Sequence, residues 1–228
     1  MTSTDSDAAA MARKARNPRQ VRGQIRIDAI LDACARLLTQ SESSVTMHRL
    51  ARESETSIGS LYHFFPDKQS VLEAFRDRHL AALRELTASL NLISDKAWQG
   101  FTPAQLVDQL LRPYLDYFVH NPEFLHLIAR DNRAEHTLLS VNQLLRTQLQ
   151  LLFVRVFSMR LPMASELEIR AFATTLFSLP MGMLTHLNLE YDEPLREPVL
   201  SVEIPLALVA YVETREAAYM KHYELSHE

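Results

Sequence analysis

The segment TSIGSLYHFF, residues 56–65, has the length and apolar spacing of a short helix, yet it contains a glycine, one of only four in the 228-residue chain. Glycine inside a helix costs about 1 kcal/mol relative to alanine. At helical spacing, Leu61, Phe64 and Phe65 share one side of this segment. The opposite side carries a group that is small or able to form hydrogen bonds, namely Gly59, Tyr62 and His63, flanked by Ile58 and Ser60. The pattern predicts a helix with an open face on which a side chain at Gly59 would obstruct something.

Helix start and stop signals surround this segment. Thr46 is well placed to N-cap a short helix that ends near Glu53, and Ser57 to N-cap the next one. Pro66 ends the second helix, and only residues 54–56 separate the two. Two short helices joined by a three-residue turn are typical of a helix-turn-helix unit.

Charge is distributed unevenly along the chain, whose formal net charge is −4. Residues 13–78 contain 12 Lys and Arg against 8 Asp and Glu, whereas residues 79–228 contain 12 against 18. A basic first third indicates that this part meets a polyanion. The alternative is that these charges only solvate the surface.

A surface pressed onto a DNA duplex explains the open face. Without a side chain, Gly59 lets the backbone approach base edges or a phosphate, and Tyr62 and His63 reach phosphates or bases. Each residue also has an ordinary interpretation. Gly59 permits close packing on a neighbouring helix, and Tyr62, His63 and Lys68 are solvated surface groups. The interpretation as a DNA contact depends on their occurring together.

The stretch VTMHRLARESETSIGSLYHFFPDKQSVLEAF, residues 45–75, resembles the DNA-binding signature of the TetR family of one-component transcriptional regulators. The matching positions are Thr46, Leu50, Ala51, Ser57, Gly59, Leu61, Tyr62, Phe65, Lys68 and Leu72. The signature covers roughly residues 24–75, about a quarter of the chain. The later helices agree with the family only in number, length and order.

The resemblance implies roles for individual residues. Those expected to face bases are Ile58, Gly59, Ser60 and His63, and those expected to hold phosphates are Thr46, Ser57, Tyr62 and Lys68. Arg22, from the basic residues upstream, completes the predicted DNA-binding set. The turn departs from the family pattern because Glu55 stands where glycine is usual, which predicts a non-glycine residue at positive φ. Ile58 stands where a polar residue is common, and an isoleucine there reads a thymine methyl group.

Apolar periodicity predicts an all-α chain of about nine helices. Their approximate ranges are 24–40, 46–53, 57–65, 67–90, 103–120, a short one from 121, 134–160, 165–190 and 203–225, with loops at 91–100 and 192–200. The predicted domains are a disordered basic arm (1–20), a three-helix DNA-binding domain (21–66) and a helical ligand-sensing and dimerisation domain (67–228). Cys34 lies on an apolar stripe and is predicted to be buried.

The larger part is expected to bind an effector and to dimerise, as the resemblance implies. The last two long helices present the apolar surface for a four-helix bundle across a two-fold axis, unless that surface only completes the core of one chain. Pro180 and Gly182 inside one helix suggest a kink that leaves a gap. The predicted ligand-binding residues are Tyr114, Phe118, Phe124, His126, Phe153, Phe177, Met181 and His186.

The sequence therefore predicts a dimeric regulator, a repressor released from a palindromic operator in double-stranded DNA by a small apolar or amphipathic effector. The alternative is a helical carrier of apolar ligands that binds no DNA. No phosphate-binding glycine loop, nucleophile elbow or zinc-binding helix motif points to an enzyme, and no cofactor or metal site is predicted. A single cysteine and the lack of a membrane-length apolar run favour a cytoplasmic protein.

Overall fold

The computed structural model describes residues 18–40, 44–124, 141–190 and 193–225, and within these ranges it contains helices and no strand. The predicted all-α fold is confirmed. Ten α-helices and one π-helical segment have defined bounds. They are α1 (Pro18–Gln40), α2 (Met47–Glu53), α3 (Ile58–Phe64), α4 (Lys68–Asn91), α5 (Asp95–Gly100), α6 (Pro103–His120), α7 (Val141–Arg160), α8 (Glu166–Glu190), α9 (Glu193–Pro198), the π segment (Val199–Glu203) and α10 (Ile204–Leu225).

Five of the predicted helix starts are confirmed by their capping hydrogen bonds. Thr46 and Ser57 N-cap α2 and α3. Asp67 accepts the backbone N–H of Ser70 at 2.8 Å in the first turn of α4. Capping boxes open α6 at Thr102 and α8 at Ser165, where side chain and backbone bond reciprocally with the residue three positions later. Each cap satisfies backbone donors that the first helical turn leaves without an intrahelical partner.

The chain forms two compact units, Met1–Phe75 and Arg76–Glu228. In the first unit, large apolar side chains from α1 to α4 are almost fully buried, and Cys34 is buried among them as predicted. The buried set includes Ile30, Leu31, Leu37, Leu50, Leu61, Val71 and Phe75. The predicted functional domains, 21–66 and 67–228, stay predictions.

The second unit packs α7 against α8, α6 against α10, and the short α5 against α7. Aromatic rings pack at its centre. The Phe157 and Phe172 rings pack edge to face with their centroids 4.2 Å apart, and the Phe172 ring stacks on Tyr211 with a centroid distance of 5.2 Å. Arg160, at the end of α7, is nearly buried and forms a bidentate ion pair with Glu216 of α10.

Two predicted loops are helical instead. Residues 91–100 contain α5, which Ser94 caps by accepting the N–H of Ala97 at 3.3 Å, and which buries Trp98 completely. Residues 192–200 contain α9 and the first residues of the π segment. For α5, contacts with α7 supply stability that the local sequence pattern does not indicate.

The first helix begins earlier than predicted, because Pro18 already begins α1, six residues before the predicted start at residue 24. Proline suits the first position of a helix, where no N–H is needed. Residues 1–17 and the predicted helical segment 134–140 lie outside the described residues. Residues 122–124 are helical, in agreement with the predicted restart after Asn121.

None of the described helices combines the length and apolarity needed to span a bilayer.

Candidate nucleic-acid interface

The turn between α2 and α3 is held by backbone hydrogen bonds. The Ser54 N–H donates to the Leu50 carbonyl at 3.0 Å, and the Thr56 N–H donates to the Ala51 carbonyl at 2.9 Å. Between them, Glu55 adopts a φ of 52°, the one positive φ at a non-glycine residue of the described chain. The predicted left-handed residue in the turn is therefore confirmed. A non-glycine residue there costs about 1–2 kcal/mol, and the two flanking hydrogen bonds hold it in place.

The face of α3 that carries Gly59 is open. Tyr62 is 49% exposed and Ile58 37% exposed, and His63 is exposed as well. A Cβ built on Gly59 meets no atom within 4 Å. The alternative interpretation, in which Gly59 allows close packing on a neighbouring helix, is therefore wrong for the described chain, because no helix approaches this position.

The opposite side of α3 anchors it to the first unit. Leu61 is completely buried and Phe65 nearly so, whereas Phe64 is half-buried. A Cβ on Gly23 of α1 would lie 3.9 Å from the Phe64 ring, which places α1 beside that ring. The inward side chains thus fix the orientation in which Gly59 and Tyr62 point outward.

The hydroxyl groups of Thr46 and Ser57 each cap a helix and still have a proton that can be donated in a hydrogen bond. The Thr46 Oγ1 accepts the N–H of Arg49 at 3.2 Å, and the Ser57 Oγ accepts the N–H of Ser60 at 3.2 Å. A hydroxyl group that accepts one hydrogen bond still has its own proton to donate. Both exposed side chains can therefore donate to a phosphate oxygen without giving up the cap.

One residue of this surface belongs to the upstream basic residues but was not included in the predicted DNA-binding set. Arg26 of α1 extends to α3 and donates from Nη1 to the Ser60 Oγ at 3.4 Å. Arg22, which was predicted, lies one helical turn earlier and is exposed. Residues four apart lie on the same helix face, so the i, i+4 spacing of these arginines was the available signal. The contact itself depends on the packing of α1 beside α3.

Lys68 is the first residue of α4 and is half-buried. The turn before it is fixed by a reciprocal pair, in which Asp67 and Ser70 each accept the backbone N–H of the other. A cation at a helix N-terminus opposes the helix dipole. The α3–α4 turn thus fixes the position of Lys68, and its charge at the helix N-terminus slightly lowers the stability of α4.

Four of the predicted ligand-binding residues come together in the second unit. Tyr114 and Phe118 of α6 and Phe177 and Met181 of α8 line one apolar cavity of about 20 Å³. That volume holds about one water molecule. The helix α8 continues through Pro180 and Gly182. Within the part of the chain that the structure describes, these residues pack against one another, and the cavity that they line has no room for an effector.

The other four predicted ligand-binding residues do not line this cavity. Phe153 is completely buried, and Phe124 packs against Phe118 with ring centroids 6.3 Å apart. His126 lies outside the described residues, and His186 lies in α8 with its side chain undescribed. Within the described parts of the chain, no three His, Cys, Asp or Glu side chains are grouped as a metal site requires.

A buried polar cluster joins α4 to the end of α6. His79 Nδ1 and the Tyr117 hydroxyl share a hydrogen bond of 2.5 Å, His79 Nε2 lies 3.9 Å from Glu123 Oε1, and the His79 ring stacks on Phe124. Burial, together with Arg78, lowers the pKa of His79 to about 4. Burial also raises the pKa of Glu123 and brings the pKa of Tyr117 to about 12. No sequence pattern pointed to this cluster.

Thr87 and Tyr114 link the same two helices through a hydrogen bond of 2.8 Å between their hydroxyl groups. Burial, partly opposed by this bond, raises the pKa of Tyr114 to about 12. The helices α4 and α6 are therefore joined at two polar positions.

A helix pair with a tight turn, an outward face of small and hydrogen-bonding residues on its second helix, and an all-helical second unit together define an all-α fold with a helix-turn-helix unit. Residues 30–75 match the family model for bacterial regulatory proteins of the tetR family. The predicted family resemblance is confirmed, and the chain has the fold of a TetR-family transcriptional regulator.

Solved structures agree with this fold. A TetR-like transcriptional regulator from Rhodococcus sp. RHA1 superposes with a TM-score of 0.54 at 16% identity, over 87% of this chain and 99% of that one. A second structure, from Pseudomonas aeruginosa PAO1 and described as a transcriptional regulator, gives 0.52 at 16% identity, over 92% and 97%. No curated protein is significantly similar in sequence. TetR-family regulators are transcription factors and not enzymes, as predicted for this chain.

Proposed function

We propose that this protein is a dimeric, sequence-specific DNA-binding repressor that a small apolar effector releases from a palindromic operator. The observation that carries the proposal is the open space at Gly59, where an added Cβ meets nothing within 4 Å. The α3 helix enters the major groove with this face toward the bases, as the second helix of such a unit does. Tyr62, Lys68, Thr46 and Ser57 hold the flanking phosphates.

Dimerisation follows from the length of an operator. One helix-turn-helix unit covers one half-site, and two must lie about 34–36 Å apart to contact a palindrome. Among the described residues, α10 buries one side in its own chain through Ile204, Leu208 and Val212. Small exposed residues occupy another side of it, including Ala207 and Ala210, and small residues allow a helix of the second copy to approach closely.

Release by the effector acts through α4, which begins in the first compact unit and ends in the second. Its hydrogen bonds to Tyr114 and Tyr117 join it to α6, so a displacement of α6 also moves α4. The effector must favour the state that does not bind DNA by about 1–3 kcal/mol, the usual range of allosteric coupling.

Selection of bound sites from a pool of random duplexes tests the proposal. The expected result is a palindrome with half-sites one helical turn apart, bound with an affinity that falls about 10³- to 10⁵-fold between 50 and 200 mM salt if 6–10 phosphates are contacted. Tyr62→Ala should weaken this binding, whereas Leu92→Ala, which truncates an 86% exposed side chain of the second unit, should not.

Selection that enriches no sequence, or Tyr62→Ala binding as tightly as the unchanged protein, contradicts the proposed DNA interface. The carrier hypothesis then remains, because it requires apolar ligand binding and no duplex binding.

A further inference from the structure

A groove in the second unit lies between α6 and the chain that leads into α10. It encloses about 560 Å³, which is within the range of 300–1,000 Å³ typical of small-molecule sites. Its walls come from α6 on one side and from the π segment and the first two turns of α10 on the other. None of the predicted ligand-binding residues lines this groove, and their own cavity is far smaller, at about 20 Å³.

The polar side chains of the groove already have partners within the chain. Asp108 and Arg112 form an ion pair, and the Gln105 side-chain oxygen accepts the N–H of the α6 N-cap at 2.9 Å. Ser201 donates its hydroxyl proton to a carbonyl one turn earlier at 2.6 Å. Because a carboxylate neutralises the guanidinium group in its wall, the groove offers no net charge to an ionised ligand.

The remaining wall is apolar and partly open to solvent. Val107 and Leu115 are buried at its base, whereas Val202 is 55% exposed and Leu206 62% exposed. Covering apolar surface gains about 25 cal/mol per Å² removed from water. These side chains therefore favour an apolar occupant, and nothing in the chemistry of the wall favours a charged one.

The backbone of the groove is irregular where these side chains stand. Val199–Glu203 is π-helical, and the Ile204 N–H donates to the Val199 carbonyl five residues earlier. Pro205, the second residue of α10, has no N–H to give to the carbonyl one turn before it, so one intrahelical hydrogen bond is missing where the π segment meets α10. Short π-helical segments inside helices occur often at functional sites, and this one supplies part of the groove wall.

The size of the groove favours a small molecule over a second protein chain. Eleven residues line it, whereas a stable protein interface takes about 20–30 residues from each side. The small exposed residues of α10 proposed as the dimer surface, Ala207 and Ala210, are not among those lining residues. A concave site of this volume is suited to a compact ligand.

We propose that the groove between α6, the π segment and α10 binds an uncharged, predominantly apolar small molecule. The assignment of the groove as the effector site depends on the proposed function, because an effector that releases DNA requires a DNA-binding protein. An occupant there contacts α6, the helix that is joined to α4 by hydrogen bonds.

Fluorescence titration of the full chain with N-phenyl-1-naphthylamine, a neutral apolar probe, tests the site. Leu206→Lys and Val202→Lys each place a charge on an exposed lining position that a folded chain tolerates, and each should weaken probe binding about tenfold or more. Leu151→Lys is the matched control, because Leu151 is 67% exposed on α7 and lines a different groove. The control should bind the probe as the unchanged protein does.

The same aromatic frame carrying a sulfonate, 1-anilinonaphthalene-8-sulfonate, tests the ligand class and should bind the groove more weakly than the neutral probe. Equal binding of the neutral probe by Leu206→Lys and Val202→Lys overturns the site, and tighter binding of the sulfonate overturns the class. A dimer mass that falls to that of a monomer in Leu206→Lys, measured by light scattering, shows a second copy in the groove and also overturns the proposal.

Duplex binding, measured in parallel, separates this proposal from the proposed function. A protein that binds the neutral probe at the groove but no duplex retains the site and loses the regulatory role. A protein that binds an operator but not the probe contradicts only the proposed ligand site in the groove. If both proposals hold, saturating probe should lower operator affinity by about 5- to 150-fold.

Discussion

Replacement of Gly59 by alanine should change stability and DNA affinity in opposite directions. In the free protein the new Cβ has no neighbour within 4 Å, and Gly59 has no positive φ that would oppose a side chain. Alanine in a helix is more stable than glycine by about 0.5–1 kcal/mol. For a chain of 150–250 residues this corresponds to a rise in Tm of up to about 2–4 °C, measurable by differential scanning calorimetry.

On the duplex, the same methyl group occupies the space in which the backbone is proposed to meet the groove. If it holds α3 about 1 Å further away, hydrogen bonds on either side leave their normal distance range. Loss of two such bonds at about 1–1.5 kcal/mol each weakens operator binding roughly 30- to 150-fold. Fluorescence anisotropy with the selected operator measures this loss.

Gly100→Ala is the matched control, because a Cβ there also meets nothing within 4 Å and the position lies in α5 of the second unit. It should leave operator affinity unchanged. Operator binding by Gly59→Ala that equals that of the unchanged protein would refute the close approach of α3 to DNA. A fall in Tm would refute the open geometry at Gly59.

Three further predictions concern single side chains. Lys68→Ala should reduce the slope of log K against log salt by about 0.9 for each phosphate that the lysine no longer neutralises, and an unchanged slope removes Lys68 from the interface. Arg160→Ala should lower the free energy of unfolding by about 3–5 kcal/mol, since it leaves Glu216 without its partner in a largely buried ion pair; urea titration measures this, and a change below about 1 kcal/mol contradicts it. Since the folded pKa of His79 is about 4 and the unfolded one about 6.5, the unfolded state binds the extra proton first, and stability should fall by about 3 kcal/mol as pH drops from 6.5 to 4. The raised pKa of Glu123 has the opposite effect, since it increases stability as the pH falls toward about 4.5. The contribution of His79 is therefore measured as the difference between the pH dependence of the free energy of unfolding of the wild type and that of His79→Gln. If the two proteins show the same pH dependence, the prediction is contradicted.

The helix-turn-helix unit was predictable because its determinants are local. Thr46 and Ser57 cap the helices that begin one residue later, and an N-cap needs only a hydroxyl at the correct position. The positive φ of Glu55 was expected from the family resemblance, because Glu55 stands where glycine is usual. The outward position of Tyr62 follows from helical periodicity once Leu61 is assigned to the core.

The helix α5 was not predictable in the same way, because its stability comes from elsewhere in the chain. Its six residues are too few for a stable isolated helix, and they contain a single large apolar side chain, Trp98. Arg160 of α7 donates to the carbonyls of Trp98 at 2.9 Å and Phe101 at 2.7 Å. These bonds satisfy carbonyl groups that the end of a short helix leaves without partners.

The candidate ligand site was likewise predictable from the sequence only in part. Three aromatic residues that were predicted to bind a ligand, Tyr114, Phe118 and Phe177, line one cavity. Periodicity carries no information on whether such residues pack tightly or enclose a space. The 560 Å³ groove depends instead on the distance between α6 and α10 and on the irregular backbone before Pro205.

The amino-acid sequence by itself determined the helices with strong caps, the α2–α3 turn, and which face of α3 is open, because hydrogen bonds and periodicity over a few residues suffice for each. Only the tertiary structure decided that no described helix covers Gly59 and that Arg26 contacts Ser60. It also decided that the cavity at the predicted ligand-binding residues is small, whereas the groove between α6 and α10 is open. These depend on distances between segments far apart in the chain, and such distances are set by the packing of the whole core.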